Sequence, residues 1–391
     1  MSDMSNAGPA FGDGRLDGEQ PDDGALSVTD RREPDGLAVV WCEGAFTTTY
    51  GKTAHGLVRR TERYRVVAVI DSDCAGHDAG EVLDGRANGI PLVESLDRAL
   101  EMGRGSGSAP SHLVIGLAPD GGRLPDEGRE VVKRALAAGL NVDSGLHDFL
   151  SDDTELASLA AQHGVVIRDV RKPPPRSELH FFSGKIAEID SLTIACLGTD
   201  SAIGKRTTAI ALIDGLQRAG ISTEVIGTGQ TAWMQGVRYG LVLDSLVNDF
   251  VSGEIEHAVW TAWNEARPDV ILLEGQGSLM NPAYPGGFEL LAAGRPDVVL
   301  LQHAPARTAY DGFPEYPLHP LKDQIHAIEF LSGKPVVAVT ISHEGLDAAG
   351  VRREAAAITA ETGLPACDVL LDGPDVIVEL VKGLLAAKDR R

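Results

Sequence analysis

Short apolar runs alternate along the chain with segments in which apolar side chains recur at helical spacing. In the first half, LAVVWCEG at 37–44, YRVVAVIDSD at 64–73 and SHLVIGLAPDGG at 111–122 are typical of buried strands. Helical patterns lie between and after them, as in EGREVVKRALAAG at 127–139. Strands that alternate with helices in this way predict a parallel sheet covered by helices. We therefore predict a Rossmann-like parallel α/β domain over residues 37–171.

The same alternation returns in the second half of the chain. The apolar runs IACL at 194–197 and PDVILLE at 268–274 each come before a glycine-rich turn, and KPVVAVTISHEG at 334–345 is the last strong strand. The sequence therefore predicts a second α/β domain, over residues 192–391.

Two segments lack the pattern of a packed element. The stretch KPPPRSEL begins a proline-rich break, where neither helix nor strand can continue, and we place an interdomain linker at residues 172–191. Residues 1–36 are rich in Gly, Asp and Pro and poor in large apolar side chains. Such a segment buries too little surface to offset its ordering entropy, so we predict a disordered acidic tail.

The segment 194–216, IACLGTDSAIGKRTTAIALIDGL, has the order of a P-loop. An apolar strand ends at Gly198, and Gly204-Lys205 opens a helix after five intervening residues. In this arrangement backbone N–H groups and the helix N-terminus point at one anion, and the lysine adds a full charge. A glycine-rich turn without a ligand is the alternative. The predicted phosphate-binding residues are Gly198, Thr199, Asp200, Ser201, Gly204, Lys205, Arg206, Thr207 and Thr208.

Arg206 departs from the usual P-loop. The residue after the lysine is normally Ser or Thr, whose hydroxyl binds Mg²⁺. Thr207 is rotated by about 100° around the helix and cannot simply replace it. Arg206 either brings a second cation to the phosphate or turns outward into solvent. The first alternative suits a phosphate ligand that arrives without Mg²⁺, and we predict no bound metal.

Further candidate residues follow the strands of the second half. Glu274 leaves a buried apolar run into a turn rich in glycine, where P-loop proteins place a metal-bound or basic carboxylate. His303 and Arg307 follow the run VVLLQ, and a histidine there either serves the site or lies buried under the next loop. A glycine turn that contains Gly229, Gln230 and Thr231 suits a ligand or is a plain tight turn.

The first domain offers weaker candidates. Asp71 ends its second strand and could hold a ribose, but no G-x-G-x-x-G follows the first strand, which argues against an NAD site. We expect Asp71 to be a turn residue or part of a shared cleft.

Composition narrows the class of protein. Of the 391 residues 57 are acidic and 35 basic, which gives a net charge of −22, and no basic block offsets the acid. Nucleic acid is therefore not expected as a partner. The four cysteines form no C-x-x-C pair, so neither a disulfide framework nor a zinc site is indicated. No apolar run reaches membrane-spanning length, and no signal peptide is evident, so we expect a cytoplasmic protein without membrane contact.

The motifs GTDSAIGKRTTA, GTGQTAWM, DFVSGEIE, EGQGSL and QHAPAR…GFP resemble a two-domain P-loop family of formerly unknown function. That family includes D-glutamate N-acetyltransferase, and the arginine after the lysine belongs to its pattern. The P-loop itself is similar to that of dethiobiotin synthetase. The resemblance implies acetyl-CoA as co-substrate, an amino acid such as D-glutamate as acceptor, and functional pairing with an N-acetylglutamate racemase. We also expect a homo-oligomer.

The chemistry of acyl transfer assigns roles to the candidates. It needs a neutral amine, a nearby base and a donor to the thioester oxygen. Glu274 and His303 are the candidate bases, the N–H groups of Gly275 to Gly277 could serve the oxyanion, and Arg307 could bind a substrate carboxylate. Two alternatives stay open: an ATP-dependent ligase of the dethiobiotin synthetase type that uses Mg²⁺, and a nucleotide-binding regulatory protein without turnover.

Overall fold

The computed structural model describes residues 33–105, 109–388 and 390. Residues 1–32 of the acidic tail, which was predicted over residues 1–36, lie outside the described part of the chain. The last residues of the predicted tail are ordered, since the N–H of Asp35 donates to the Arg63 carbonyl at 2.7 Å and the first strand begins at Gly36. The described residues are built around two parallel sheets, which confirms the predicted α/β class.

The first sheet has six strands in the order β3-β2-β1-β4-β5-β6, and all its neighbouring pairs are parallel. This is the strand order of a Rossmann fold. Its strands are β1 Gly36–Trp41, β2 Tyr64–Ile70, β3 Leu92–Val93, β4 His112–Ile115, β5 Asn141–Ser144 and β6 Ile167–Asp169. The helices of this half are α1 Lys52–Arg59, α2 Ala79–Asp84, α3 Leu96–Gly105, α4 Asp126–Ala137 and α5 Thr154–His163.

The second sheet has seven parallel strands in the order β15-β14-β11-β7-β10-β8-β9. Its strands are β7 Leu192–Gly198, β8 Thr223–Gly227, β9 Tyr239–Gly240, β10 Val270–Glu274, β11 Val298–His303, β14 Val336–Ile341 and β15 Ala366–Cys367. A short antiparallel hairpin after β11 adds β12 Ala309–Tyr310 and β13 Phe313–Pro317. The helices are α6 Lys205–Arg218, α7 Gln230–Met234, α8 Asn248–Ala266, α9 Phe288–Ala293, α10 Leu321–Ser332, α11 Ala348–Thr362 and α12 Asp375–Lys388.

Strand β7 is the centre of the second sheet. Every residue from Leu192 to Gly198 is buried, because helices cover both faces of a parallel sheet. Leu197 packs into the core under α8, α9 and α10, while Cys196 packs on the other face, against α6 and α12. The strand therefore ends between β10 and β11 and delivers the P-loop to the middle of the sheet edge.

The segment 172–191 joins the two sheets along the surface of α8. Glu256 on that helix, almost fully buried, accepts hydrogen bonds from the N–H groups of Ser183 and Ile186. Pro173 to Pro175 precede this contact and lie outside any helix or strand. The domain boundaries proposed from the sequence stay predictions, although the two sheets lie on either side of this segment.

The two sheets also meet directly through α1 and α7. The hydroxyls of Thr53 and Thr231 are 3.0 Å apart, and Gln235 Nε2 donates to the carbonyls of Gly56 and Arg60, each at 2.9 Å. Gly56 lets the two helices approach, since a Cβ there would lie 3.1 Å from the Thr231 methyl group. This contact holds α1 beside the P-loop edge of the second sheet.

Candidate functional site

The loop between β7 and α6 has the backbone of an anion site. Ala202 and Gly204 adopt left-handed conformations, with φ of +51° and +95°, and such alternation turns successive N–H groups toward one point. Gly198 packs directly against Lys205, since a Cβ there would lie 2.8 Å from the Lys205 Cδ. The loop is thus shaped as the sequence predicts for a P-loop.

The Lys205 side chain folds back onto the loop and contacts two backbone carbonyls. Its ammonium donates to the carbonyls of Asp200 at 2.7 Å and Gly277 at 2.8 Å, and only 7% of the residue is exposed. Burial lowers the pKa of this lysine to about 8. The charge is therefore held in a poorly solvated place, where an anionic ligand gains more from it than in water.

Asp200 is fully buried, and its carboxylate is satisfied by the protein. One oxygen accepts from Asn281 Nδ2 at 2.8 Å and from the Ser201 N–H at 2.7 Å. The other accepts from Arg307 at 2.8 Å and from the Asp311 N–H at 2.9 Å. In this conformation Asp200 ties the P-loop to two neighbouring loops, so its visible role is to shape the site.

Arg307 uses its whole guanidinium in this network. Nη1 contacts Asp200 and the Ser201 carbonyl, while Nε and Nη2 take the carboxylate of Glu344 in a two-pronged contact of 2.7–3.2 Å. Asp200 is completely buried, whereas the side chain of Glu344 is 52% exposed. One half of Arg307 therefore pairs with a buried carboxylate, and the other half pairs with a carboxylate that is half exposed to solvent.

Glu274 lies on the opposite side of the P-loop, beside Arg206. Arg206 Nη1 is 3.7 Å from Glu274 Oε1, and the second oxygen of Glu274 accepts from the Thr228 N–H at 3.1 Å. Burial raises the pKa of Glu274, and the charge of Arg206 acts against that rise. Arg206 thus contacts Glu274, and its predicted contact with a phosphate stays a prediction.

His303 ends β11 and contacts the P-loop from its other side. Its Nδ1 lies 3.0 Å from Thr199 Oγ1, and burial lowers the pKa of the imidazole to about 4. The neighbouring Gln302 accepts hydrogen bonds from Thr208 and Thr340. His303 is therefore neutral near pH 7 and a weak base.

The two candidate bases are separated by the central strand. Glu274 ends β10 and His303 ends β11, and β7 lies between these strands. Two strand spacings amount to about 10 Å. The backbones at Glu274 and His303 are therefore separated by about that distance.

The glycine turn after β8 faces the first sheet. Gln230 packs against Gly145, Thr231 contacts Thr53, and Gly229 lies against the side chain of Gln276. The structure thus places this turn between the two halves, with Gly229 nearest to the loop that follows Glu274. Thr207 lies in the first turn of α6 and is half-buried.

Lys52 is a charged residue near the site that the sequence did not single out. It begins α1, is exposed, and its charge adds to the lowering of the Lys205 pKa that burial mainly causes. Asn281, Asp311 and Glu344 were also missed as site residues. No local motif marks these four, because each reaches the P-loop from a distant segment.

A cavity of about 150 Å³ adjoins the P-loop on the face of the sheet away from α6. It lies between the end of β7, the loop after β10 and α10. Its lining residues are Leu197, Gly198, Gln276, Gly277, Leu279, Met280, Gly286, His319, Asp323, Gln324, Ala327 and Ile328.

In the first sheet, the turn after β2 is built around Asp71. Asp71 is buried there, and its carboxylate accepts from the N–H groups of Ala45, Phe46 and Cys74. Asp71 is therefore a turn residue, which is one of the two roles predicted for it.

Within the described ranges, no cluster of three or more His, Cys, Asp or Glu side chains is placed to hold a metal ion. No helix in the same ranges is long and apolar enough to span a bilayer.

Comparison with known proteins agrees with this architecture. The model described as "Domain of unknown function (DUF1611_C) P-loop domain" matches residues 180–378, and the one described as "Domain of unknown function (DUF1611_N) Rossmann-like domain" matches residues 72–173. The crystal structure of a DUF1611 family protein from Anabaena variabilis is similar at 33% identity. It covers 89% of this chain and 100% of its own, with a TM-score of 0.82.

Two curated relatives have an activity in their names. A D-glutamate N-acetyltransferase from Tritonibacter scottomollicae is 31% identical over 310 residues, which are 78% of this chain and 89% of that protein. Another protein of the same name, from Pseudoalteromonas sp., is 29% identical over 279 residues, which are 68% of this chain and 80% of its length. Both alignments are long enough to include residues of both halves of the chain.

Proposed function

Because the chain belongs to the DUF1611 family of two-domain proteins, we propose that it is an N-acetyltransferase. In this proposal it transfers the acetyl group of acetyl-CoA to the amine of D-glutamate or a related amino acid. The observation that carries the proposal is the similarity to two relatives named D-glutamate N-acetyltransferase, which extends over 78% and 68% of the chain.

The P-loop supports a phosphate-bearing co-substrate that is not hydrolysed. Acetyl-CoA carries a 3′-phosphorylated ADP, and the loop from Gly198 to Lys205 offers N–H groups and one ammonium to such an anion. Arg206 stands where a Mg²⁺-binding hydroxyl is usual and points toward Glu274. A cation built into the protein at this position favours a phosphate ligand that arrives without Mg²⁺.

Glu274 is the better placed of the two bases. A general base works best with a pKa near the operating pH. Burial moves the pKa of Glu274 upward, toward that pH. Burial lowers the pKa of His303 to about 4, which makes its imidazole the weaker base. In the proposed reaction Glu274 takes a proton from the amine as its nitrogen attacks the thioester carbonyl. The C–S bond then breaks, and the CoA sulfur leaves as a thiolate that is protonated from solvent.

Two further groups complete the proposed reaction. The N–H groups of Gly275 to Gly277 are candidates to stabilise the oxyanion. Arg307 already binds the exposed carboxylate of Glu344 in a two-pronged way, so a substrate carboxylate could take the place of Glu344. The product, an N-acetylated amino acid, fits the expected pairing with a racemase, which stays a prediction.

The experiment is a mass-spectrometric assay of the purified protein with D-glutamate and either acetyl-CoA or ATP with Mg²⁺. We expect N-acetylglutamate and free CoA to form in equal amounts in the first reaction. ADP formed only in the second reaction would support an ATP-dependent ligase instead. No turnover in either, together with nucleotide binding, would indicate a regulatory protein.

A further inference from the structure

The cavity beside the P-loop is lined mainly by apolar groups. Leu197, Leu279 and Ile328 are buried at its wall, and Ala327 of α10 contributes a small side chain. The charged lining residue Asp323 is exposed and lies toward the rim, as does His319. The interior thus offers a ligand apolar contact, and the rim offers it polar groups.

This polarity selects which part of the reactants can enter. An amino acid such as glutamate carries three charged groups at neutral pH, and burial of a charge without a partner is strongly unfavourable. The interior supplies no full charge to pair with them. An uncharged chain with amides, a thioester and a methyl group meets no such penalty and gains free energy from buried apolar surface.

The cavity also has the right position and size. Gly277 lines it and accepts a hydrogen bond from Lys205 Nζ at 2.8 Å, while Gly198 lines it from the first residue of the P-loop. A ligand whose phosphates contact Lys205 can therefore extend into the cavity. A dry protein cavity of roughly 150 Å³ is large enough for a ligand the size of benzene, which is comparable to an acetyl-thioester end.

Ser278 lies between two residues that line the cavity but is not itself one of the lining residues. It follows Gly277 and precedes Leu279, and its hydroxyl is buried with no hydrogen-bond partner among the described residues. A buried polar group without a partner in the protein is uncommon and indicates a ligand or water that satisfies it.

We propose that this cavity binds the uncharged, acyl-bearing arm of the phosphate-bearing co-substrate, and that the charged amino acid approaches from the other side of the P-loop. The inference rests on the proposed function, since it assumes a co-substrate with phosphates at one end and a thioester arm at the other. Arg307 and Arg206, neither of which lines the cavity, carry the positive charge that the carboxylates of such an amino acid require.

The test compares two ligands on one variant. Ala327→Leu places a larger side chain at the cavity wall, and calorimetry measures binding of CoA and of adenosine 3′,5′-bisphosphate, which lacks the arm. We expect at least a ten-fold increase in the Kd of CoA and less than a two-fold change for the bisphosphate. Ala357→Leu on the exposed face of α11 is the matched control and should change neither Kd.

The outcomes separate the inference from the function on which it rests. Equal weakening of both ligands would place the adenosine in the cavity and overturn the inference, as would an unchanged Kd for CoA. If the unmodified protein bound neither ligand but bound ATP with Mg²⁺, the proposed function itself would fail. Bisphosphate binding reports that the variant is folded; should Ala327→Leu not fold, Ala327→Val is expected to give the same pattern with a smaller effect.

Discussion

Arg206 and Glu274 face each other across the edge of the P-loop, with Nη1 of the arginine 3.7 Å from Oε1 of the glutamate. Both side chains are largely buried, and each changes the protonation equilibrium of the other. The residue that departs from the usual P-loop thus contacts the strand-end carboxylate directly. The first two predictions depend on this pair.

Glu274→Gln should lower kcat by about 10²–10⁴-fold, because removal of one general base typically has that effect. The Kd of acetyl-CoA should change little, since a carboxylate offers no hydrogen-bond donor to a phosphate. Stopped assays of CoA release and calorimetry measure the two quantities. His303→Asn is the control and should retain most of the turnover; the reverse result would identify His303 as the base.

Arg206→Met should move the acid limb of the kcat–pH profile to higher pH. Burial raises the pKa of Glu274 and Arg206 opposes the rise, so loss of the cation leaves the carboxylate protonated at higher pH and inactive as a base. A shift of about one pH unit corresponds to a change of about 1.4 kcal/mol in the interaction with the ionised form. Arg206→Lys keeps the charge and should shift less. An unchanged limb at saturating acetyl-CoA would mean that Glu274 is not the titrating group.

Affinity for CoA should fall as the pH rises through about 8. Burial lowers the pKa of Lys205 to that value, and only the protonated lysine attracts phosphate, so the Kd should increase about ten-fold per pH unit above it. Lys205→Arg keeps its charge over this range and should give a flat profile between pH 7 and pH 9. A flat profile in the unmodified protein would show that Lys205 does not pair with the ligand.

Acetyl transfer should not require a divalent metal. Arg206 occupies the position of the usual Mg²⁺-binding hydroxyl, so the protein itself supplies the charge. Turnover in excess EDTA should equal turnover in Mg²⁺, with a known Mg²⁺-dependent kinase assayed in parallel to prove chelation. Activity lost in EDTA and restored by Mg²⁺ would favour the ATP-dependent ligase.

Arg307→Met should destabilise the protein by about 3–5 kcal/mol, because it leaves the buried Asp200 carboxylate without its cation. Glu344→Gln, which changes the exposed partner of the same arginine, should alter the free energy of unfolding by at most about 1 kcal/mol. Denaturant titration measures both. A small effect of Arg307→Met would indicate that the N–H donors around Asp200 are sufficient.

The local sequence determined the elements, the α/β class and the P-loop. A strand, a glycine-bounded loop and a helix are adjacent in the chain, so their pattern is complete within the segment 194–216. The family was identified for the same reason, since its motifs are short and each lies at the end of one strand. The domain boundaries and the roles of the site residues stay predictions.

Only the tertiary structure decided which of these strand ends meet. The order of the second sheet puts β7 between β10 and β11, and this separates Glu274 from His303, which look equivalent in the sequence. It also brings Arg307, 107 positions from Asp200, into contact with the P-loop and commits half of its guanidinium to that carboxylate. Lys52 reaches the site only because α1 packs on α7. Contacts of this kind depend on side chains from distant segments that pack together, and no local pattern of apolar and polar residues encodes them.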